Sequence, residues 1–446
     1  MNRMEFLSHV ASALACCVGV VGYAGEPAVD SQPAEVQSQT WNWHVQNTDV
    51  VQATPAFSAQ YSGPNSLNDK GETQHTISFD LLAGVRLWSG AEAHIDALMW
   101  QGFGLSKTEG AEGFPNGEAF RLGTRSPKGI LSRLFVRQTI ELGGDTEAVA
   151  DDALDLAGRR ATSRLTFTLG RISVKDIFDN NAYANDPRTQ FMSWALMANE
   201  AWDYPADSLG YTTGFAAELN QPGWAVRYGF FQVPPVSNGM GDDHHYLKAW
   251  GMVMELERDY AFAGHPGAVR VLVFENRAHM GSYQEALDAP ERPADIVATR
   301  AYRTKYGVGF NVEQEIAANV GVFARLGWSD GRNEAWVFSD VDRAASLGVS
   351  LKGAGWGRPG DTFALAGVLS GTSKVHRDFL AAGGTGILAG DGALDYGPER
   401  DVETYYDFRV ADHLHVAFDY QLISNPSFNR DRGPISVLGA RLHWEY

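Results

Sequence analysis

The sequence predicts an all-β protein, a closed 16-stranded antiparallel transmembrane β-barrel with short periplasmic turns and long extracellular loops. Three observations predict it. Polar and apolar residues alternate with period two along most of the chain, the mark of strands with two different faces. About 16 such runs occur, each of roughly ten residues, an even number as single-chain outer-membrane barrels require. The connections between runs alternate between short and long, and the chain ends on an aromatic residue, Tyr446.

Residues 1–24 read as a cleaved signal peptide. Arg3 supplies its positive start, Phe6 to Val21 a mostly apolar stretch, and Gly22-Tyr23-Ala24 a small-x-small cleavage site. Both cysteines, Cys16 and Cys17, lie inside it, so the mature chain would offer no disulfide and no thiolate metal site. An acylated Cys16 is the weaker alternative, because Ala13 stands where an aliphatic residue is usual. Residues 25–40, rich in Pro, Gln and Ser, form a flexible periplasmic lead-in, and 41–446 form the barrel.

The runs begin near Trp41, Thr76, Glu92, Ser132, Arg164, Tyr211, Trp224 and Ala249, then near Ala268, Thr304, Val320, Ala345, Thr362, Glu403, Leu414 and Ile435. The last is the clearest. Leu438, Ala440, Leu442 and Trp444 share one face with Tyr446, while Gly439, Arg441, His443 and Glu445 share the other. In a membrane barrel the apolar face meets lipid and the polar face lines the lumen. Because His, Asp, Arg and Glu recur on that inner face, the lumen is expected not to be an apolar core. Val269 to Phe274 is apolar on both faces, so its pattern does not orient it.

Connection lengths supply an independent argument. Ser89-Gly90, Asn220 to Gly223, Ala317 to Asn319 and Asp412-His413 are short, as periplasmic turns should be. Thr54 to Gln74, Gln101 to Leu131, Lys175 to Gly210 and Val375 to Asp401 are long, as extracellular loops should be. Glu141 to Ser163 breaks the parity: it is long where a short turn is expected. Closure satisfies every backbone group without an edge, and a soluble sandwich has no reason to alternate its loops.

Composition excludes other classes. A formal net charge of −18 argues against a nucleic-acid partner, which needs a basic face. The 48 Gly, 12 Trp, 16 Tyr and 23 Phe suit many strands with aromatic anchors better than long helices.

Several long motifs, in order, carry a family resemblance: "PAFSAQYSGPNSL" from Pro55, "QGFGLSKTEGAEGFPNGEAF" from Gln101, "RLFVRQT" from Arg133 and "VKDIFDNNAYANDPRTQF" from Val174. "WDYPADSLGYT" from Trp202 and "NPSFNRDRGPISVLGARLH" from Asn425 complete the set. The chain resembles the carbohydrate-selective porins of the OprB type over nearly all of its mature length. Tyr446 departs from the Phe that usually ends such barrels. The resemblance implies facilitated diffusion of mono- and oligosaccharides (glucose-type sugars) through a constricted, polar-lined channel in the bacterial outer membrane. The expected partners are small sugars as solutes and outer-membrane lipid and lipopolysaccharide; no cofactor and no covalent chemistry are expected, and the sequence leaves monomer and homotrimer both open.

Sugars present hydroxyls to Arg and carboxylates, and C–H faces to aromatic rings. Strand parity puts Asp80, Arg86, His94, Asp96, Arg133, Arg137, Arg227, Arg325, Asp407, Arg409 and Arg441 on the inner face. Arg133 and Arg137 point the same way, about 13 Å apart. Each arginine can line the path or only pair with carboxylates that stiffen the wall. The connection Lys175 to Gly210, about 35 residues, is too long for a turn and is the third loop on the outer side. By analogy with porins it folds back into the lumen, bringing Asp179, Asn180, Asn181, Asp186 and Arg188 to a constriction. Phe191, Trp194, Ala195, Ala198 and Trp202 have helical spacing and predict a short helix over 191–202 against the wall.

Other clusters carry less. "GDDHHY" from Gly241 is a solvated loop tip rather than a metal site, since adjacent residues rarely converge on one ion. Asp179, Asn181 and Asp186 lack the calcium-loop spacing of an EF-hand. "GGTG" from Gly383 reads as a mobile outer loop, and "NRDRGP" from Asn429 as an ion-paired tight loop. The alternative functions are a barrel for polysaccharide export or adhesion, and a barrel hydrolase. For the hydrolase no Gly-x-Ser-x-Gly elbow is present.

Overall fold

In the computed structural model of the protein, residues 38–119 and 123–446 are described. The signal segment and most of the lead-in lie outside those residues. Sixteen strands close into one antiparallel barrel, each paired with its sequence neighbours and β1 with β16. They are β1 (Trp41–Thr54), β2 (Glu72–Trp88), β3 (Ala91–Gly102), β4 (Thr124–Val149), β5 (Gly158–Ile172), β6 (Thr212–Gln221), β7 (Trp224–Phe231) and β8 (Trp250–Phe262). The second half comprises β9 (His265–Met280), β10 (Ala301–Ala317), β11 (Val320–Ser329), β12 (Arg343–Lys352), β13 (Thr362–Gly371), β14 (Glu399–Ala411), β15 (Leu414–Ser424) and β16 (Ile435–Glu445). The closing register sets Val50 against Arg441 and Gln46 against Glu445, so no edge is left unpaired.

The alternation works as the pattern requires. Leu169, Leu347, Phe418 and Leu438 stand exposed on the outer surface, while Asp80, Asp96, Glu255 and Arg441 on the inner face are buried. Trp41, Trp43, Trp88, Trp444 and Tyr446 all fall at the periplasmic strand ends and are exposed, which suits the aromatic girdle of a membrane barrel.

Four expectations are corrected. The inner face is not polar throughout. Phe231 of β7, Val253 of β8, and Leu272, Phe274, Ala278 and Met280 of β9 point inward and bury Phe178, Trp202 and Tyr204 of the third loop and Trp336 of the loop after β11. This explains the unoriented run on β9: one face meets lipid, the other meets a loop. The helical spacing over 191–202 yields a single turn, Trp194–Met197, because the segment is bound along its length by wall side chains rather than by its own ladder. The connection 141–163 is mostly strand. β4 and β5 run on together as far as the pair Val149 and Gly158, leaving a tip of eight residues, 150–157. The "GGTG" segment is also packed, with Gly384 against the Phe379 ring and Leu388 buried.

Candidate functional site

The third loop begins with a short 3-10 turn, Val174–Asp176, opened by a capping box between Ser173 and Asp176. Its next residues are fastened to the opposite wall by Asp179, which lies in the left-handed region at φ 55°. The Asp179 carboxylate accepts from Asn311 Nδ2 on β10 at 2.7 Å, Arg325 Nε on β11 at 3.2 Å and the Asn199 N–H at 2.7 Å. Lys175 Nζ adds an ion pair at 3.3 Å, and the Asp179 N–H donates to Glu255 on β8 at 2.7 Å. Burial pushes this carboxyl up, but Arg325 and Lys175 overcome it and hold Asp179 below the usual carboxylate range. Burial meanwhile draws Lys175 down to about 8 against the pull of Asp179.

The loop continues across the lumen, held at each step. Asn181 donates to Asn311 Oδ1 at 2.8 Å, and Arg325 donates to the Leu196 and Ala184 carbonyls. Glu403 on β14 accepts the Met192 and Ser193 N–H groups, and Arg441 on β16 donates to the Pro187 and Gln190 carbonyls. Inward glycines make room: a Cβ at Gly327 would run into Asn199, and one at Gly321 into the Tyr183 ring. The close approach of loop to wall needs glycine at both.

Between loop and wall lies a cavity of ≈ 320 Å³. Two arginines border it, each clamped by two carboxylates. Arg133 on β4 meets Asp96 at 2.7 Å and Asp176 at 2.8 Å; Arg188 meets Asp80 at 2.7 Å and Glu118 at 2.9 Å. Asn180, Asn185 and Asp186 contribute further polar groups. The same cavity is bordered by an aromatic shelf. Phe114 stacks on Trp194 at 5.4 Å, and Phe338 lies 5.7 Å from Trp194 and 4.8 Å from Tyr204. Phe338 is half-buried at φ 62°, a left-handed position that a bulky residue occupies only when its surroundings hold it there. Tyr211 closes the ring, its face 5.2 Å from the Arg133 guanidinium.

The sequence-predicted residues thus separate. Asn180, Asp186, Arg188, Trp194 and Arg133 line the cavity, with Asp80 and Asp96 directly behind the two arginines. Asp179 and Asn181 fasten the loop, as does Arg325, while Arg227 pairs with Glu218, Glu255 and Glu257 in the β6–β8 wall. His94 is buried on β3, 3.3 Å from Glu92. Arg441 and Asp407 sit 3.6 Å apart on the inner wall. Arg86, 3.2 Å from Glu92, and Arg137, 2.8 Å from Asp155, line a second cavity instead. Arg409 is half-exposed at the periplasmic rim, paired with Asp412, and lines neither. Sequence reasoning missed Phe338, Glu118, Asp176 and Tyr211. Only the capping-box pattern Ser173-x-x-Asp176 carried a local signal, and it spoke of a turn rather than of an arginine.

A closed 16-stranded barrel with a loop folded across its lumen is the architecture of a porin. The family model for carbohydrate-selective porins of the OprB family matches residues 64–446, and the chain belongs to that family, a family of outer-membrane channels. Among solved structures, the high-pH form of Pseudomonas putida OprB aligns with TM-score 0.68 at 17% identity, covering 91% of this chain and 94% of that one. The low-pH form of the same porin aligns with TM-score 0.50 at 14% identity, covering 91% and 93%. Among curated proteins, none matches the chain.

Proposed function

We propose that the cavity between the third loop and the β2–β4 wall is the constriction of a path for glucose-type mono- and oligosaccharides. The carrying observation is the lining of one space by both kinds of surface: doubly clamped Arg133 and Arg188, and the Phe338–Tyr204–Trp194 shelf. A sugar needs both, hydrogen-bonding partners for its hydroxyl fence and a flat apolar surface for its C–H face. Because each guanidinium already faces two carboxylates, the site offers donors and acceptors without the net positive charge an anion would require. Asn180 and Asp186, half-buried at the edge, offer polar groups to a passing solute, Asp186 with one oxygen already accepting the Arg188 N–H at 2.9 Å. Release demands that such binding be weak, which side-by-side polar contacts supply without a closed pocket.

Ion current through reconstituted single channels tests this. Added glucose or maltose should block the current reversibly, and Phe338→Ala should weaken the block about tenfold, as expected for a lost ring-stacking contact of ~1.4 kcal/mol. Current indifferent to both sugars would overturn the proposal.

A further inference from the structure

The connection that broke loop parity finds its place inside the barrel. β3 starts at Ala91, opposite Gln138, so the β4–β5 hairpin runs on beyond its neighbour. The ladder slips between Glu141 and Gly143 and again before Thr146, and Gly143 and Gly144 take φ values of 106° and 88°. Shifts and left-handed glycines together are how a hairpin bends. The tip then returns to inner-face residues. Asn42 of β1, buried, donates to the Asp151 carboxylate at 2.9 Å and to the Asp152 and Asp155 carbonyls at 3.1 Å each. Arg137 Nη1 donates to the Leu154 carbonyl at 2.9 Å and to Asp155 Oδ1 at 2.8 Å. Gln39 and Ala157 exchange two more bonds, at 2.9 and 2.8 Å.

These ties aim Leu154. It is half-buried, packs on the lumenal apolar cluster that includes Phe135, and borders the same cavity as Arg133, Asp176 and Tyr211. A tip that merely capped a hairpin would have no need of a buried asparagine reaching to it from β1, with Arg137 of its own strand β4 holding it. We infer that the tip 150–157 is a second constriction of the path, entering from the periplasmic side. Leu154 is its narrowest side chain, and Asn42 and Arg137 are the positioning residues that hold it there. This rests on the cavity being the solute path. The third loop then screens solutes at the outer side of the cavity, and the tip sets the largest oligosaccharide that can leave it.

The test shortens the hairpin, replacing residues 144–162 by an Asn-Gly turn, which suits a two-residue connection. Leu154→Gly and Arg137→Ala are made in parallel, in case the shortened barrel fails to assemble. Each is scored for heat-modifiable mobility, single-channel conductance in potassium chloride, and swelling rates of liposomes in a series of maltooligosaccharides. The shortened barrel is expected to conduct about twofold more or better and to admit longer oligosaccharides, with Leu154→Gly and Arg137→Ala shifting both in the same direction. Assembled variants with unchanged conductance and unchanged size limit would overturn the inference. A raised conductance in the shortened barrel alone would remove Leu154 as the narrow point. The salt readout is independent of sugar recognition: a wild-type channel that conducts salt but passes no sugar defeats the proposed function and leaves the tip to be judged on conductance.

Discussion

Asp179→Ala perturbs the fastening of the third loop without touching the barrel ladder. Its carboxylate is 3% exposed, as Arg325 is 2% and Lys175 8%, so removing it strands two buried cations. Breaking such a buried pair from one side costs about 3–5 kcal/mol. Arg325 keeps its bonds to the Leu196 and Ala184 carbonyls, which puts the cost at the lower end. About 3 kcal/mol multiplies the population of a released loop about 150-fold. The ladder from β1 to β16 does not pass through Asp179, so heat-modifiable gel mobility should remain that of a folded barrel. Single-channel traces should show excursions to a higher conductance, and added protease should cut within 175–210. Asp179→Asn, which keeps the shape and one acceptor but no charge, should fall between the two. A variant with wild-type conductance and wild-type protease resistance would refute the reasoning, since the loop would then be held by something other than this carboxylate.

Two further outcomes are expected. Arg188→Ala leaves Asp80 and Glu118 facing the cavity without their cation; conductance should rise and the reversal potential in a salt gradient should move toward cation preference, and an unmoved potential would take Arg188 out of the path. Glu200 is raised from 4.5 to about 8, by burial first and by Glu399 beyond it, against the Ser370 hydroxyl that donates to it. A carboxyl raised on folding stabilises fully below its free value, and that contribution is lost as pH rises through the folded one. Thermal stability should therefore decline on raising pH from 4.5 to about 8, and Glu200→Gln should flatten that slope; parallel slopes would exclude Glu200 as its source.

Much of the architecture was legible because a strand repeats every two residues and a membrane barrel must alternate its faces and its loops. Strand number, the position of the third loop and the inward faces of Asp80, Asp96, Arg133 and Arg441 all follow from that local periodicity. The site was legible only in part. That Arg188 and Asp186 sit in a loop crossing the lumen could be argued from loop parity and family resemblance. That Asp179 holds the loop while Asn180 beside it borders the cavity could not, because a loop has no period to say which way a side chain turns. The partners of Asp179 lie 132 and 146 residues away in the chain.

Residue pattern and motifs already imply the closed barrel, the orientation of its polar and apolar faces, and its family. What fills the lumen appears only in the folded chain: an apolar cluster around Phe274 and Trp202, an aromatic shelf ending at Phe338, and a hairpin tip that brings Leu154 to the cavity. The two differ in the range over which the forces act. Backbone pairing and membrane contact act on each strand through its own neighbours, whereas packing across a barrel joins residues that share nothing but the space they close.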